Sequence, residues 1–356
     1  KNLKMKNKIS IILPYKEIYS ENFAGAASIW VKDYILQSKL SKDTLVYGNL
    51  ENSLKPLTKN FKNLKISKNS FSKTREYINL FYKDYLKNNF KIIEIHNRPE
   101  YLNFLIKKRV SSKLIFFFHN NPQDIRGSKT INERLNILDN TDKVFFVSAW
   151  TKKKFFEDLP FKTKSNCEIL YPSIDKQNIF YKNKKKQIIF TGKLNSSKGY
   201  DLFGEAIIKI LNKYPDWNAI VAGNEPRERY NFKHKNLKIY PWLPHKKILD
   251  LYKQSSISIV PSRWEEPFGR TAMESAAYGC ATITSQKGGL LETFDNDLFL
   301  NKLSSNEILK KISFLIKNPK KLKFYQRKNF NNPIHLIKNL VTFLDSVKIN
   351  MYEKNI

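Results

Sequence analysis

The chain has 356 residues, two cysteines, and 64 Lys and Arg against 32 Asp and Glu, a formal charge of +32. That length allows two α/β domains, each with its own core. Cys167 and Cys280 make neither a disulfide framework nor a metal-ligand spacing, so a cytoplasmic setting is expected.

No apolar run nears the ~18 residues of a membrane span, so the chain is expected to be soluble or peripheral at the inner face of the cytoplasmic membrane. The charge has three readings: compositional bias toward Lys, Asn, Ile and Phe, attraction to an anionic membrane surface, or a nucleic-acid partner. The lysines are spread over every segment and no nucleic-acid module signature is present, which makes nucleic acid the weakest of the three.

The Lys-rich start leads into Ile9–Leu13, too short for a signal-peptide apolar region and ended by Pro14, so it reads as a first strand. Further strands are expected at Thr44–Tyr47, Ile92–Ile95, Leu114–Phe118 and Val144–Val147, with helices at about 22–38, 72–88, 99–109 and 149–157. Wholly apolar runs such as Leu114–Phe118 suit central strands of a parallel sheet covered on both faces. The alternation is doubly wound. On the helix at 149–157, Lys152–Lys154 with Phe155 and Phe156 reads either as a basic, apolar membrane contact or, more simply, as a solvated face.

The chain turns around Tyr171–Asp175, and 181–186 is a charged connector. A second series follows: strands Ile188–Thr191, Ala219–Ala222, Leu237–Tyr240, Ile257–Val260 and Ala281–Thr284, with a helix at about 200–213. Two Rossmann-like parallel-sheet domains are expected, 1–175 and 176–332. A last helix, 333–350, starts at Pro333 and carries an apolar stripe of Ile337, Leu340, Val341, Leu344 and Val347. Ligands of open α/β sheets bind beyond the carboxyl ends of the strands, so the default site is a cleft between the two domains.

The most informative stretch is Glu266-Pro-Phe-Gly269-Arg270-Thr271-x2-Glu274, between the strand ending at Val260 and a helix starting near 269–270. The helix N-terminus offers N–H groups to an anion, with one carboxylate before it and one inside it. A diphosphate flanked by sugar hydroxyls suits that arrangement, and a nucleotide-sugar is such a molecule. Gly192-Lys193-x4-Lys198-Gly199 occupies the turn after the strand ending at Thr191, and His119 ends the strand Leu114–Phe118. Each has a plainer reading: helix spacing for the two Glu, a basic surface loop for the lysines, a satisfied core histidine for His119.

The Glu266/Glu274 stretch resembles the Glu-x7-Glu signature of retaining glycosyltransferases of family 4, which have the two-domain GT-B fold. Gly192-Lys193 to Lys198-Gly199 looks like that family's second signature, with Lys193 where Arg is more usual, so the bidentate guanidinium is lost. The resemblance implies that Glu274 holds the ribose, Lys193 and Lys198 the diphosphate, and Glu266 with His119 the sugar, while backbone from Phe268 through Gly269 and Arg270 to Thr271 cradles hexose and phosphate. Cations there would stabilise the leaving diphosphate, work a metal does in other glycosyltransferases, so neither metal nor cofactor is expected. Asn22–Ser28 resembles the family's glycine loop weakly, through Gly25. Asn224, Trp242 and Leu243 stand at strand ends that in the resembled family hold the nucleobase, and Gly288-Gly289-x2-Glu292 looks like a further family stretch.

His119-Asn120-Asn-Pro-x4-Gly127 and His96-Asn97-Arg98-Pro99 look like members that build lipopolysaccharide core or capsular glycans in Gram-negative bacteria. Asn120, Arg98 and Arg126 would then face a glycan or glycolipid acceptor. The implied activity is metal-independent, retaining hexosyl transfer from a nucleotide-sugar. The alternatives are a nucleotide-sugar epimerase of related fold and a non-catalytic protein that binds nucleic acid or an anionic membrane.

Overall fold

A computed structural model describes residues 8–51, 53–67, 69–175, 184–295 and 297–353. The chain forms two units, Lys1–Asp175 with Ile337–Ile356, and Lys176–Leu336.

The first unit is built on seven parallel strands, β1 (Ile9–Ile12), β2 (Thr44–Gly48), β3 (Phe61–Asn63), β4 (Ile92–His96), β5 (Lys113–Phe118), β6 (Lys143–Phe146) and β7 (Cys167–Ile169), in the order β3-β2-β1-β4-β5-β6-β7. Helices α1 (Ala26–Gln37), α2 (Lys73–Asn88), α3 (Pro99–Lys107), α4 (Ile131–Asp139) and α5 (Ala149–Phe156) cover it. Alternation decides which face each side chain joins. Ile93, Ile95, Phe116 and Phe118 pack with Phe81 and Leu102 of α2 and α3, while Ile92, Ile115 and Phe117 pack with Trp30 and Val31 of α1.

The strands β3 and β7 are three residues each, too short to carry a period that sequence reading detects. Helix α4 had a local signal that was not used: Thr130 accepts from the Glu133 N–H at 3.2 Å while Glu133 accepts from the Thr130 N–H at 3.0 Å, a complete capping box. Contrary to the membrane-contact expectation, α5 does not present its phenylalanines to a surface. Phe155 and Phe156 are buried in the core beside Phe118 and Phe146, because α5 spends its apolar face on the sheet.

The second unit has five parallel strands, β8 (Lys185–Thr191), β9 (Asn218–Ala222), β10 (Leu237–Tyr240), β11 (Ser255–Val260) and β12 (Ala281–Thr284), in the order β10-β9-β8-β11-β12. Its helices are α6 (Tyr200–Lys213), α7 (His245–Gln254), α8 (Arg270–Ala277), α9 (Ser305–Lys317) and α10 (Pro319–Asn331). Of the connector read at 181–186, residues 181–183 lie outside the described residues. Lys185 and Lys186 already belong to β8 with their side chains exposed, and Lys185 pairs with Ser255.

The last helix, α11 (Ile337–Glu353), packs in the first unit against α1. Ile337, Leu340, Val341 and Leu344 are buried there and Val347 is partly buried. It begins at Ile337, not at Pro333. The stretch before it is fixed otherwise: the Ile337 N–H donates to the Ile174 carbonyl at 3.1 Å, and His335 is held by the Glu292 carbonyl 2.5 Å away. Among the described residues no helix is long and apolar enough to cross a membrane.

Both sheets reverse their strand order once, between β1 and β4 in the first unit and between β8 and β11 in the second. Such switch points leave a crevice at the carboxyl ends of the two diverging strands. Lys198, Glu266 and Glu274 lie at the second of these places.

Candidate active site

In the second unit the loops leaving β8 and β11 are tied to each other. The N–H groups of Arg263 and Trp264 donate to the Ser197 carbonyl at 2.9 and 3.0 Å. The Arg263 guanidinium forks onto both carboxylate oxygens of Asp201 at 2.7 Å each, the bidentate geometry that makes Arg–carboxylate pairs specific. Asn195 caps the short turn Ser196–Lys198 by accepting from the Lys198 N–H at 3.1 Å. Gly199 then takes φ 71°, and a Cβ there would lie 2.1 Å from the Pro261 carbonyl oxygen. We expect Gly199→Ala to push the loops apart and destabilise the second unit by about 2–4 kcal/mol, measured by urea unfolding; an unchanged midpoint would contradict this close approach.

The result is a short contact between two residues far apart in sequence. Lys198 Nζ lies 2.6 Å from Glu266 Oε1 and 4.4 Å over the Trp264 ring. Glu266 is fixed from below by Gly288, which bridges it in parallel fashion at φ 62° and would meet its carbonyl oxygen at 2.3 Å if it carried a Cβ. The Gly289 N–H donates to the same carbonyl at 2.7 Å. The glycine pair therefore serves the carboxylate loop.

Gly269, at φ 106°, is the N-cap of α8. Inside α8, Glu274 is buried and its Oε1 accepts from Arg270 Nε at 2.6 Å and His245 Nε2 at 2.8 Å. Burial works against its ionisation, but the adjacent His245 and Arg270 outweigh it and hold the carboxyl at about 2, below the ordinary 4.5. A depressed folded-state value means that the stabilisation is present above pH 4.5 and is lost as the pH falls toward 2. The difference in unfolding free energy between the native chain and Glu274→Gln is expected to reach about 3 kcal/mol at neutral pH and to shrink through that window in a denaturant series. A pH-independent difference would contradict the ion-pair account.

The other residues singled out in this unit are less tightly grouped. Lys193 is exposed, and its charge acts on Glu225, which the Arg227 fork holds at about 2. Gly192 follows β8 at φ 135°. Asn224 and Trp242 are exposed beyond β9 and β10, and Leu243 is half-buried. Phe268 is buried edge-on to His335, and Thr271 is half-buried in the first turn of α8. Arg270, read for its backbone, gives its side chain to Glu274. Three participants were missed: His245, Trp264 and the Arg263–Asp201 fork. Their partners come from different elements, and no local pattern announces them.

In the first unit, His119 follows β5 on the face of Phe117. Its ring Nε2 lies 2.7 Å from His96 Nδ1, and its backbone N–H donates to Asn97 Oδ1 at 2.7 Å. His96 Nε2 lies 2.7 Å from Glu94 Oε1, and Lys348 Nζ lies 2.5 Å from Glu94 Oε2. Gly25 precedes α1, whose Ser28 N–H donates to Glu17 Oε1 at 3.0 Å, so a carboxylate of the chain itself caps this helix. Asn120 is exposed. Arg98 is half-buried with its guanidinium 5.9 Å over the Tyr15 ring, and the exposed Arg126 faces Glu100 at 3.4 Å.

Loops from two adjacent, diverging strands, with a Lys–Glu pair beside a helix N-terminus, form the kind of arrangement in which α/β proteins commonly place a bound anion. Residues 173–332 match the family model described as glycosyl transferases group 1. A putative glycosyltransferase, YtcC of Bacillus subtilis, is 24% identical over 231 residues, which is 56% of this chain and 56% of that protein. The lipopolysaccharide core biosynthesis mannosyltransferase LpsB of Rhizobium meliloti is 32% identical over 118 residues, 30% of this chain and 33% of LpsB. The chain thus spans about half the length of the first relative and a third of the second. The solved structure of Anabaena HepE in complex with UDP-glucose superposes with a TM-score of 0.75 at 13% identity, covering 96% of this chain and 99% of HepE. The fold is that of GT-B glycosyltransferases, and the second unit is similar in sequence to group 1 glycosyl transferases.

Proposed function

We propose that the chain is a retaining, metal-independent glycosyltransferase that moves a hexose-type sugar from a nucleotide-sugar to a glycan or glycolipid acceptor, in the synthesis of lipopolysaccharide or surface polysaccharide. The single observation that carries the reading is the Lys198–Glu266 contact at the β8/β11 switch point, beside the N-terminus of α8. A donor diphosphate competes with Glu266 for the Lys198 ammonium. Lys198 then leaves the carboxylate to bind phosphate, and Glu266 is released to accept from sugar hydroxyls.

Glu274 already spends Oε1 on Arg270 and His245, so Oε2 is the oxygen assigned to the ribose diol. As the bond to the leaving group breaks, charge grows on the diphosphate, and Lys198, Lys193 and the α8 N–H groups stabilise it. His119 is assigned a hydrogen bond to the sugar, and Arg98, Asn120 and Arg126 the acceptor. HepE, solved with UDP-glucose, makes a uridine nucleotide the first donor to try; LpsB, named for lipopolysaccharide core biosynthesis, supports the acceptor class. The basic surface is assigned to an anionic membrane face where such acceptors reside.

The test is a reaction with UDP-, GDP- and ADP-sugars and lipid-linked or core oligosaccharide acceptors, followed by NMR of the product's anomeric proton. Acceptor-dependent release of nucleoside diphosphate with the donor's anomeric configuration kept is expected. Inversion would sink the retaining assignment. Isomerised nucleotide-sugar without diphosphate release would favour the epimerase, and salt-sensitive nucleic-acid binding with no sugar-nucleotide turnover the polyanion binder. No observation on the chain favours either.

A further inference from the structure

The lysines are spread over the whole chain, but the acidic residues are not. No Asp or Glu stands between Glu307 and Asp345. Among the described residues every α-helix carries an acidic residue except α5 and α10. In α5 the imbalance is met locally: Lys154 faces Glu157 at 3.2 Å, and Lys152 donates to the Cys167 carbonyl at 3.2 Å. In α10, Lys328 is neutralised by Asp295 and Asp297 at 3.1 and 2.7 Å. Lys320, Lys323 and Arg327 are exposed and have no carboxylate partner among the described residues.

Helical spacing puts these cations on one stripe. Lys320, Lys323, Phe324, Arg327 and Asn331 recur at three- and four-residue intervals, and they line one groove of about 790 Å³. The Phe324 ring is 54% exposed in the middle of the stripe, with Lys321 Nζ 6.0 Å over it. The opposite face of α10 is committed to the sheet beside β12. Leu322 is buried there, Gln326 donates to the Ser256 carbonyl at 3.1 Å, and Asn329 donates to the Cys280 carbonyl at 2.8 Å. The helix is thus held in one rotation, and Phe324 cannot be rolled inward. Helix α9 repeats the pattern with exposed Lys310, Phe314 and Lys317.

A wet ring among unpaired cations is unfavourable on two counts: apolar area stays in water, and like charges repel. The surface of an anionic bilayer relieves both. Its headgroup phosphates meet the ammonium and guanidinium groups while the ring sinks to the acyl boundary. A single-stranded nucleic acid brings the same charge, but it uses a succession of exposed rings for successive bases, and on α10 only Phe324 is an exposed ring. We propose that the outer face of α10, with Lys320, Lys323, Phe324 and Arg327, is the surface through which the second unit docks on an anionic phospholipid bilayer. The choice of a bilayer rests in part on the glycolipid-acceptor reading; the patch does not.

Flotation of the whole chain with vesicles tests this, using phosphatidylcholine alone and phosphatidylcholine with about one third phosphatidylglycerol. Binding to the anionic vesicles alone is expected. Lys320→Gln/Lys323→Gln/Arg327→Gln should weaken it about 10²-fold, roughly fivefold for each charge taken from the surface. Lys209→Gln/Lys233→Gln/Lys235→Gln removes the same charge from other exposed positions of the second unit and should weaken binding by less than about threefold, because charges far from the contact are screened. All six positions are exposed, so both variants are expected to fold. Phe324→Ser should cause a loss that persists at raised salt, where the cationic part fades. Equal losses in the two triple variants would show that net charge rather than α10 attracts the bilayer, and would overturn the proposal. So would tighter binding to single-stranded RNA than to the anionic vesicles, lost in the α10 variant. Transfer to a water-soluble acceptor is expected to be unchanged in that variant. Docking by a chain that turns over no nucleotide-sugar would sink the transferase reading alone, and turnover without docking would sink this proposal alone.

Discussion

Lys198→Ala is expected to lower kcat for sugar transfer by about 10²–10³-fold, the usual loss when one preorganised group that meets developing charge is removed. Two costs combine in this substitution. The leaving diphosphate loses the ammonium that Glu266 now holds 2.6 Å away, and Glu266, itself buried, loses its counter-ion. Lys198→Arg keeps the charge but must place a planar fork over the Trp264 ring, where the ammonium now sits 4.4 Å from the centroid, so partial activity is expected. Glu266→Gln separates the costs. It leaves Lys198 unpaired and available to phosphate, so donor binding should be retained while transfer falls. Single-turnover rates for the three variants, beside their circular dichroism spectra, check this ordering; native rates in both Lys198→Ala and Glu266→Gln would remove the site from the chemistry.

The largest effect on stability is expected in the other unit. Lys348→Ala leaves the fully buried Glu94 with no ammonium, and breaking such a pair from one side costs about 3–5 kcal/mol. The loss should fall on the docking of α11, because Lys348 projects from that helix, past Tyr34 of α1, to β4. Replacing both partners by neutral residues should recover most of it. Urea unfolding of Lys348→Ala and of Glu94→Gln/Lys348→Met measures the difference. Equal destabilisation by the single and the paired change would show that packing, rather than the orphaned charge, decides.

What could be read in the sequence divides along physical lines. Both sheets were legible because their central strands, such as Leu114–Phe118 and Ile257–Val260, are buried on both faces and stand out as apolar runs. The three-residue edge strands β3 and β7 carry no such run. Helix α7 was not anticipated, although Ile248, Leu249, Leu251 and Tyr252 stand at helical spacing in it; being short and without a side-chain N-cap, it gave no start signal. Pro333 was read as a helix start because proline favours that position, yet the chain there is held by His335 on the Glu292 carbonyl and enters α11 only at Ile337.

The site was legible in its residue types and not in its pairings. Glu266, Glu274 and Lys198 could be named, but the partners of Glu274 come from α7 and from one turn back in α8, and Lys198 reaches Glu266 only because Arg263 and Gly199 tie two loops together. Glu94 is the instructive case. A charged residue inside Ile92-Ile-Glu-Ile-His96 is visible as an anomaly, but its counter-ion lies in the last helix, and no spacing within β4 predicts it.

The central claim is that the β8/β11 switch point binds a nucleotide-sugar through Lys198 and Glu274. Calorimetric titration of the native chain with UDP-, GDP- and ADP-sugars, repeated with Lys198→Ala and Glu274→Ala, tests it most directly. Saturable binding of one of these donors at one site per chain is predicted, weakened at least tenfold in each variant. Absence of saturable binding across the series, or equal affinity in the native chain and both variants, would contradict it.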